Sequence, residues 1–361
     1  MKIFVLTDIP SPYQAEIFNA ITELGSCDLH VVYLRRADPE RQWNEINIQH
    51  HSTILDGDSD RLSLTRRSLK DADLAVFNYY LHPHAEYLMS ERALWGRPWC
   101  FWGERPGLRK PEWVGRLVRS WKLKSLHSSG APIWGIGQFA VDRYKAEFGS
   151  RREYFNLPYF SNLQRFEVGD HANGHSPSQR VFIYSGALIP RKGVDLLAQS
   201  FNQLVREGYN TTLRIVGDGP MRNQLQALLA DVGSRVEFVG FKDWTDLPKQ
   251  YATADILCIP SRYDGWGMVV PEGLASGLPV ISTDRVGAAL EFIKSGRNGW
   301  LVREGDADML LNAMRAAASL SCEDLSELSA NARASVCEHT LQAGAGRFVS
   351  YANNVVANWR V

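Results

Sequence analysis

ILCIPSRYDGWGMVVPEGLASGLPVIS, residues 256–282, runs through a strand, a glycine-broken loop, a short helix and a second strand. The apolar run Ile256, Leu257, Cys258 and Ile259 is short and stops at Pro260, which suits a buried strand of a parallel sheet better than a helix. Asp264-Gly265-Trp266-Gly267 then turns the chain. Pro271 fits the first helical position, where its missing N–H is not needed, with Gly277 as the cap and Pro279 opening the next strand. A helix that starts at the carboxyl end of a parallel strand presents free N–H groups and partial positive charge, an arrangement suited to phosphate. Asp264 and Glu272, eight positions apart, flank that turn and can point into one crevice.

The same alternation extends in both directions. Upstream, strands are expected at 3–6, 29–33, 74–77, 99–102 and 133–136, with a helix over 16–24, at βαβ spacing. Residues 157–180 lose periodicity and collect Gly, Asn, Ser, Pro and His, as a linker does. Beyond it, strands are expected at 181–184, 212–216, 236–239, 279–282 and 300–302, and helices over 199–207, 221–231 and 306–320. A chain of 361 residues is too long for one typical core. The reading is α/β with two Rossmann-like domains, 1–165 and 178–345, the first joined by a C-terminal helix at 346–361.

The stretch 256–282 resembles the signature of the retaining glycosyltransferases of family 4, which have the GT-B fold, two parallel-sheet domains facing across a donor cleft. That family carries E-x7-E inside S-x-x-E-G-F-G-L-x-x-x-E-A-x-A-x-G-x-P-V-I; here Asp264 stands first and Glu272 second. The resemblance implies that Glu272 holds the ribose hydroxyls of a sugar nucleotide and that Asp264, one methylene shorter than the usual Glu, contacts the transferred sugar. SGALIPRKGVD, residues 185–195, resembles the segment whose basic residues hold the donor diphosphate, which places Arg191 and Lys192 there, with Ala187 where many members have Arg. By the same resemblance Gly186, Gly267, Met268 and Val269 line the donor site, and Phe241, after Gly240 at the end of the 236–239 strand, belongs to the base pocket. The family often has a His after the N-terminal strand that here ends Trp102-Gly103-Glu104-Arg105; Glu104 takes its place, with His82 and His84 as alternatives. The Pro10-Ser11-Pro12-Tyr13 loop lacks the family's glycine pair.

Several competing signals read as ordinary structure. Asp56-Gly57-Asp58, Asp71-Ala72-Asp73 and Asp306-Ala307-Asp308 look like metal-holding D-x-D runs, but they fall in a polar loop, before a strand and at a helix start. Arg191, Lys192 and helix N-termini can stabilise a leaving diphosphate, so no metal is expected. Gly135-Ile136-Gly137-Gln138-Phe139-Ala140 matches a dinucleotide fingerprint, yet lies mid-chain rather than at the first strand. Five scattered cysteines, at 27, 100, 258, 322 and 337, without a C-x-x-C pair suit reduced core thiols. With 40 Lys or Arg against 40 Asp or Glu the chain shows no footprint of a nucleic-acid binder. The apolar start of the chain is too short for a signal peptide, and no stretch approaches a spanning helix, so a cytoplasmic protein is expected.

One segment points to a surface. From Arg97 to Lys124 eight Lys or Arg stand against two acids, interleaved with Trp113, Val114, Leu117, Val118 and Trp121. Arg116, Arg119, Lys122 and Lys124 beside tryptophans suit an anionic membrane; the alternative is a helix that packs its apolar face on the sheet and solvates its basic face. The expected activity is transfer of a sugar from a nucleotide-diphosphate sugar, with no further cofactor, to a hydroxyl of a glycan or lipid-linked acceptor. A non-catalytic sugar-nucleotide-binding protein and a sugar-nucleotide epimerase are the alternatives.

Overall fold

The structure is a computed structural model that describes residues 1–37, 46–106, 112–167 and 179–359. Arg109, Lys110 and residues 168–178 of the linker expected over 157–180 lie outside the described residues. The chain forms two compact units, Met1–Asn162 with His339–Val361, and Leu163–Glu338. The division therefore falls slightly before the expected one at 165, and the return to the first unit at 339 rather than 346.

The first unit holds strands β1 (Lys2–Thr7), β2 (Asp28–Tyr33), β3 (His51–Ile54), β4 (Leu74–Phe77), β5 (Trp99–Gly103), β6 (Ile133–Gly135) and β7 (Tyr154–Asn156). They form one sheet in the order β3-β2-β1-β4-β5-β6-β7, and every pair is parallel. Its helices are α1 (Pro12–Glu23), α2 (Ser59–Asp71), α3 (Pro83–Leu94), α4 (Glu112–Lys122), α5 (Lys124–His127) and α6 (Gln138–Phe148). The second unit holds β8 (Arg180–Ser185), β9 (Thr211–Val216), β10 (Val236–Gly240), β11 (Ile256–Ile259), β12 (Val280–Thr283) and β13 (Gly299–Val302), in the all-parallel order β10-β9-β8-β11-β12-β13. Its helices are α7 (Val194–Arg206), α8 (Arg222–Leu228), α9 (Leu247–Tyr251), α10 (Val269–Ala275), α11 (Gly287–Phe292), α12 (Ala307–Ala318) and α13 (Cys322–Val336). The last helix, α14 (Leu341–Asn358), returns to the first unit and packs along α1.

Central strands are apolar at every position because helices cover both faces: LAVF in β4 and ILCI in β11 are buried throughout. The edge strand β3 reads HSTI and has no such signature. Helix ends follow side-chain chemistry. Asp58, Asp306, Ser321 and Thr340 are N-caps whose side chains accept backbone N–H bonds, so the first and third D-x-D runs each supply a cap. In the second run, Asp73 accepts the Lys2 N–H at 2.7 Å.

Two details correct the sequence reading. Helix α10 begins at Val269, so Pro271 is its third residue; this costs no hydrogen bond, because the first four N–H groups of a helix have no intrahelical acceptor. It ends as expected at Gly277, left-handed at φ 79°, with Gly277 N–H donating to Leu274 and Leu278 N–H to Gly273, a doubly bonded C-terminal turn. All five cysteines are free thiols, but Cys322 and Cys337 are exposed at the ends of α13 rather than in a core.

Candidate functional site

The order of the second sheet reverses between β8 and β11, the position in an open α/β sheet where the loops at the carboxyl ends diverge and leave a crevice. The loop after β8 carries Pro190, Arg191 and Lys192 in a single tight turn; the loop after β11 carries Arg262 to Gly267. Strand pairing therefore brings together groups 72 residues apart. Lys192 Nζ donates to Asp264 Oδ2, and Arg191 Nη1 stands 3.6 Å from Asp264 Oδ1 while donating to the Tyr263 carbonyl at 2.8 Å. Burial pushes the Asp264 carboxyl up, but Lys192 and then Arg191 outweigh it and hold the group below the usual carboxylate range. Asp264 is thus a fixed anion with two cations at its edge.

Backbone contacts lock this arrangement. Gly193, at φ 66°, sits so close to β11 that a Cβ there would lie 2.0 Å from the Pro260 carbonyl oxygen. Gly217, at φ 140°, approaches Gly186 so that a Cβ would lie 1.9 Å from the Gly186 oxygen. Gly267, at φ 90°, leaves room for Val286, whose Cγ1 would be 2.7 Å from an added Cβ. These are close-approach glycines, where any side chain would displace a loop. Asp264 N–H donates to the Arg285 carbonyl at 3.0 Å, tying the β11 loop to the one after β12.

One pair at the site escaped the sequence reading. Arg262 grips Asp195 through both guanidinium ends, at 2.8 and 2.7 Å, and also donates to the Pro190 carbonyl at 2.6 Å. The Arg262 hydrogen bonds hold the Asp195 carboxyl below its ordinary range. This clamp fixes the basic turn against the β11 loop; an acid in the first turn of α7 was its only trace in sequence.

Glu272 lies in the first turns of α10, partly exposed, and its charge helps to raise the proton affinity of the buried Tyr251 hydroxyl, after burial itself. Met268 and Val269 are partly exposed at the same helix start, and Gly267 precedes them. Gly186 follows β8 at φ 153°. Phe241, half-exposed, follows β10, two strands from β8 on the same rim of the sheet. Glu104 belongs to the first unit; it is exposed just past β5, where its carbonyl accepts the Tyr144 hydroxyl at 2.6 Å. His82 caps α3, accepting the His84 N–H at 3.3 Å, and lies past β4, at the corresponding reversal of the first sheet. The 135–140 fingerprint serves packing: Gly135 ends β6 where a Cβ would lie 2.6 Å from Val141 N, and Gly137 caps α6.

The sequence profile of the family glycosyl transferases group 1 matches residues 168–335. A GDP-mannose-dependent monoacylated alpha-(1-6)-phosphatidylinositol monomannoside mannosyltransferase of Corynebacterium glutamicum is 30% identical over 190 residues, 48% of this chain and 49% of that protein. A GDP-mannose-dependent alpha-(1-6)-phosphatidylinositol monomannoside mannosyltransferase of Mycolicibacterium smegmatis is 29% identical over 217 residues, 56% of each. The chain thus spans about half the length of the curated relatives it matches. Among solved structures, Anabaena Alr3699/HepE in complex with UDP superposes with a TM-score of 0.77 at 17% identity, covering 98% of this chain and 100% of that one. The sucrose-phosphate synthase of Thermosynechococcus elongatus gives 0.77 at 19%, covering 99% of both. The fold is GT-B, and residues 168–335, most of the second unit, are similar to the glycosyl transferases group 1 family.

Proposed function

We propose that the protein is a retaining glycosyltransferase that moves a sugar from a nucleotide-diphosphate sugar to a hydroxyl of a glycan or lipid-linked acceptor. The observation that carries this reading is the Lys192–Asp264–Arg191 cluster at the strand-order reversal, with Glu272 on the adjoining helix. Glu272 takes the ribose hydroxyls; Arg191 and Lys192 take the diphosphate; Asp264, held ionised, faces the transferred sugar. In the transfer, the bond from the anomeric carbon to the diphosphate oxygen breaks and a bond to the acceptor oxygen forms on the same face. The acceptor proton goes to the departing diphosphate, whose added charge falls on Arg191 and Lys192. Asp264, already engaged by two cations, is placed to position and stabilise rather than to attack. These cations do the work for which a metal would otherwise be needed, so the reading is metal-independent, and the donor is the sole small-molecule requirement. Relatives named as GDP-mannose-dependent transferases and a structural neighbour bound to UDP support a nucleoside diphosphate donor. The lipid acceptors in the relatives' names support an acceptor at a membrane, reached from the cytoplasmic side by a peripheral protein.

The test is a panel of nucleotide sugars incubated with the protein and a lipid extract, read by mass spectrometry for a glycosylated product and free nucleoside diphosphate. Glu272→Ala is expected to weaken nucleotide binding by about 1.5–3 kcal/mol, the worth of a hydrogen bond to a charged group. Unchanged binding in that variant removes the assignment, and nucleotide binding without any sugar transfer leaves a sugar-nucleotide-binding protein. An epimerised donor would identify the third reading.

A further inference from the structure

Helix α4 is turned inside out. Trp113, Leu117 and Trp121, spaced four residues apart and therefore on one face, are 66%, 61% and 72% exposed, and Val118 beside them is 40% exposed. The opposite face is pinned to the protein by a polar group: Arg119, 8% exposed, donates through Nε and Nη2 to both oxygens of the buried Glu147 on α6, at 2.6 to 2.9 Å. Gly115 makes room for that guanidinium, since a Cβ there would come 3.0 Å from Arg119 Nη1. The turn that follows is anchored by buried Leu123 and Leu126 and by Ser125, whose N–H and hydroxyl both donate to Glu86. The sheet-packing alternative drawn from the sequence does not describe this helix, because its apolar face is exposed; and Arg119, one of the four cations expected at the surface, is turned inward.

A soluble helix gains stability by burying its apolar stripe. Here the fold spends its buried contact on an ion pair and leaves a stripe of two indoles and a leucine to the outside. We infer that α4 is a membrane-insertion helix that seats Trp113, Leu117 and Trp121 at the boundary between headgroups and acyl chains of an anionic bilayer. Two features select a bilayer as the occupant. Indoles favour the interface, where the ring is buried and the N–H stays wet. The charges that follow the start of the helix are of one sign: α4 opens with Glu112, but from Trp113 to Gly130 there is no acidic residue, Arg119 is neutralised internally by Glu147, and Arg116, Lys122 and Lys124 remain as the cations of this segment. Lys122 Nζ lies 4.8 Å from the Trp121 ring centroid, which keeps its charge at the edge of the stripe. Insertion rather than charge provides most of the affinity, with the cations supplying steering and a preference for anionic lipid. The inference names the surface on which the proposed transferase would meet a lipid-linked acceptor, and rests on that reading for its purpose.

The experiment uses the full chain with phosphatidylcholine vesicles, with and without phosphatidylglycerol, at low and high salt. Sedimentation and quenching of tryptophan fluorescence by brominated phosphatidylcholine are read together. The parent is expected to bind both vesicles, more tightly the anionic ones, to retain most binding in high salt, and to be quenched. Trp113→Ser with Leu117→Ser and Trp121→Ser, all solvent-exposed in the parent, should lose binding by roughly a hundredfold or more, the scale of withdrawing three large apolar side chains. Arg116→Glu with Lys122→Glu and Lys124→Glu should lose the preference for anionic lipid and keep binding to neutral vesicles. Failure of the parent to bind, unquenched binding abolished by salt, or a triple-serine variant that binds like the parent overturns the inference. A stripe-dependent dimer in analytical ultracentrifugation with no vesicle binding overturns it in favour of a second copy of the chain. Calorimetry with UDP and GDP runs beside these assays: the triple-serine variant should bind nucleotide as the parent does, so loss of the donor reading and loss of the insertion reading are seen separately.

Discussion

Acid should loosen the first unit well before the second. Every histidine that the structure describes lies in the first unit, and three of them are held neutral there. Burial lowers His30, His50 and His339 each to about 4, with His51 adding to the effect at His30 and His50. His50 is enclosed between Tyr33, whose hydroxyl is 3.0 Å from its Nε2, and Asn19, whose Oδ1 is 2.7 Å from Nδ1. His339 donates to the Tyr159 carbonyl at 2.9 Å and stacks on Phe160. The sign follows from linkage: with folded values below the unfolded one, the unfolded chain binds more protons, so stability is complete above roughly pH 6.5 and falls as pH drops toward 4. At pH 5 each of the fully buried pair, His50 and His339, would cost about 2 kcal/mol, and the half-buried His30 less. The depressed groups of the second unit act in another window: Asp195 and Asp264 lie below the ordinary carboxylate value, so their contribution persists until pH falls below about 4. Hydrogen exchange read by mass spectrometry from pH 7 to 5 should therefore show protection falling across β2, β3, α1 and α14 while β8, β11 and α7 keep theirs. His50→Gln should reduce proton uptake on unfolding near pH 5 by about one. Equal loss in both units, or earlier loss in the second, refutes the reasoning.

Lys192→Ala should lower turnover by about a hundredfold, as loss of one leaving-group donor does, with nucleotide affinity falling less; steady-state kinetics separate the two. A chelator is expected to leave transfer intact, and abolition with rescue by magnesium would return the D-x-D runs to consideration. Gly217→Ala should strain the β8 and β9 loops by at least about 1–3 kcal/mol from its positive φ, before the 1.9 Å clash with Gly186 is counted, and calorimetry should find nucleotide binding weakened. Arg119→Ala leaves Glu147 buried without its counter-charge and should cost about 3–5 kcal/mol in urea unfolding of the first unit.

Local chemistry alone determined most of the elements. Uninterrupted apolar runs such as LAVF and ILCI can be covered only from both sides, so they specify central parallel strands wherever they occur. Gly277 ends α10 because few other residues tolerate its left-handed backbone. The D-x7-E spacing and the Arg-Lys turn were legible as candidate-site components for the same reason: each sits at a strand-to-helix transition within one short stretch. Strands β3 and β7 were not legible, since HSTI and YFN lie at sheet edges where partial exposure relaxes the apolar pattern. What the sequence could not decide were pairings of charge across long separations. Lys192 meets Asp264, and Arg262 meets Asp195, because β8 and β11 are neighbours at the strand-order reversal, a property of the sheet rather than of either segment. Periodicity marked α4 as amphipathic but not which face turns inward. That was settled by Glu147, 28 residues away on α6: once its carboxylate is buried it requires Arg119, and the helix rotates its tryptophans outward to supply it.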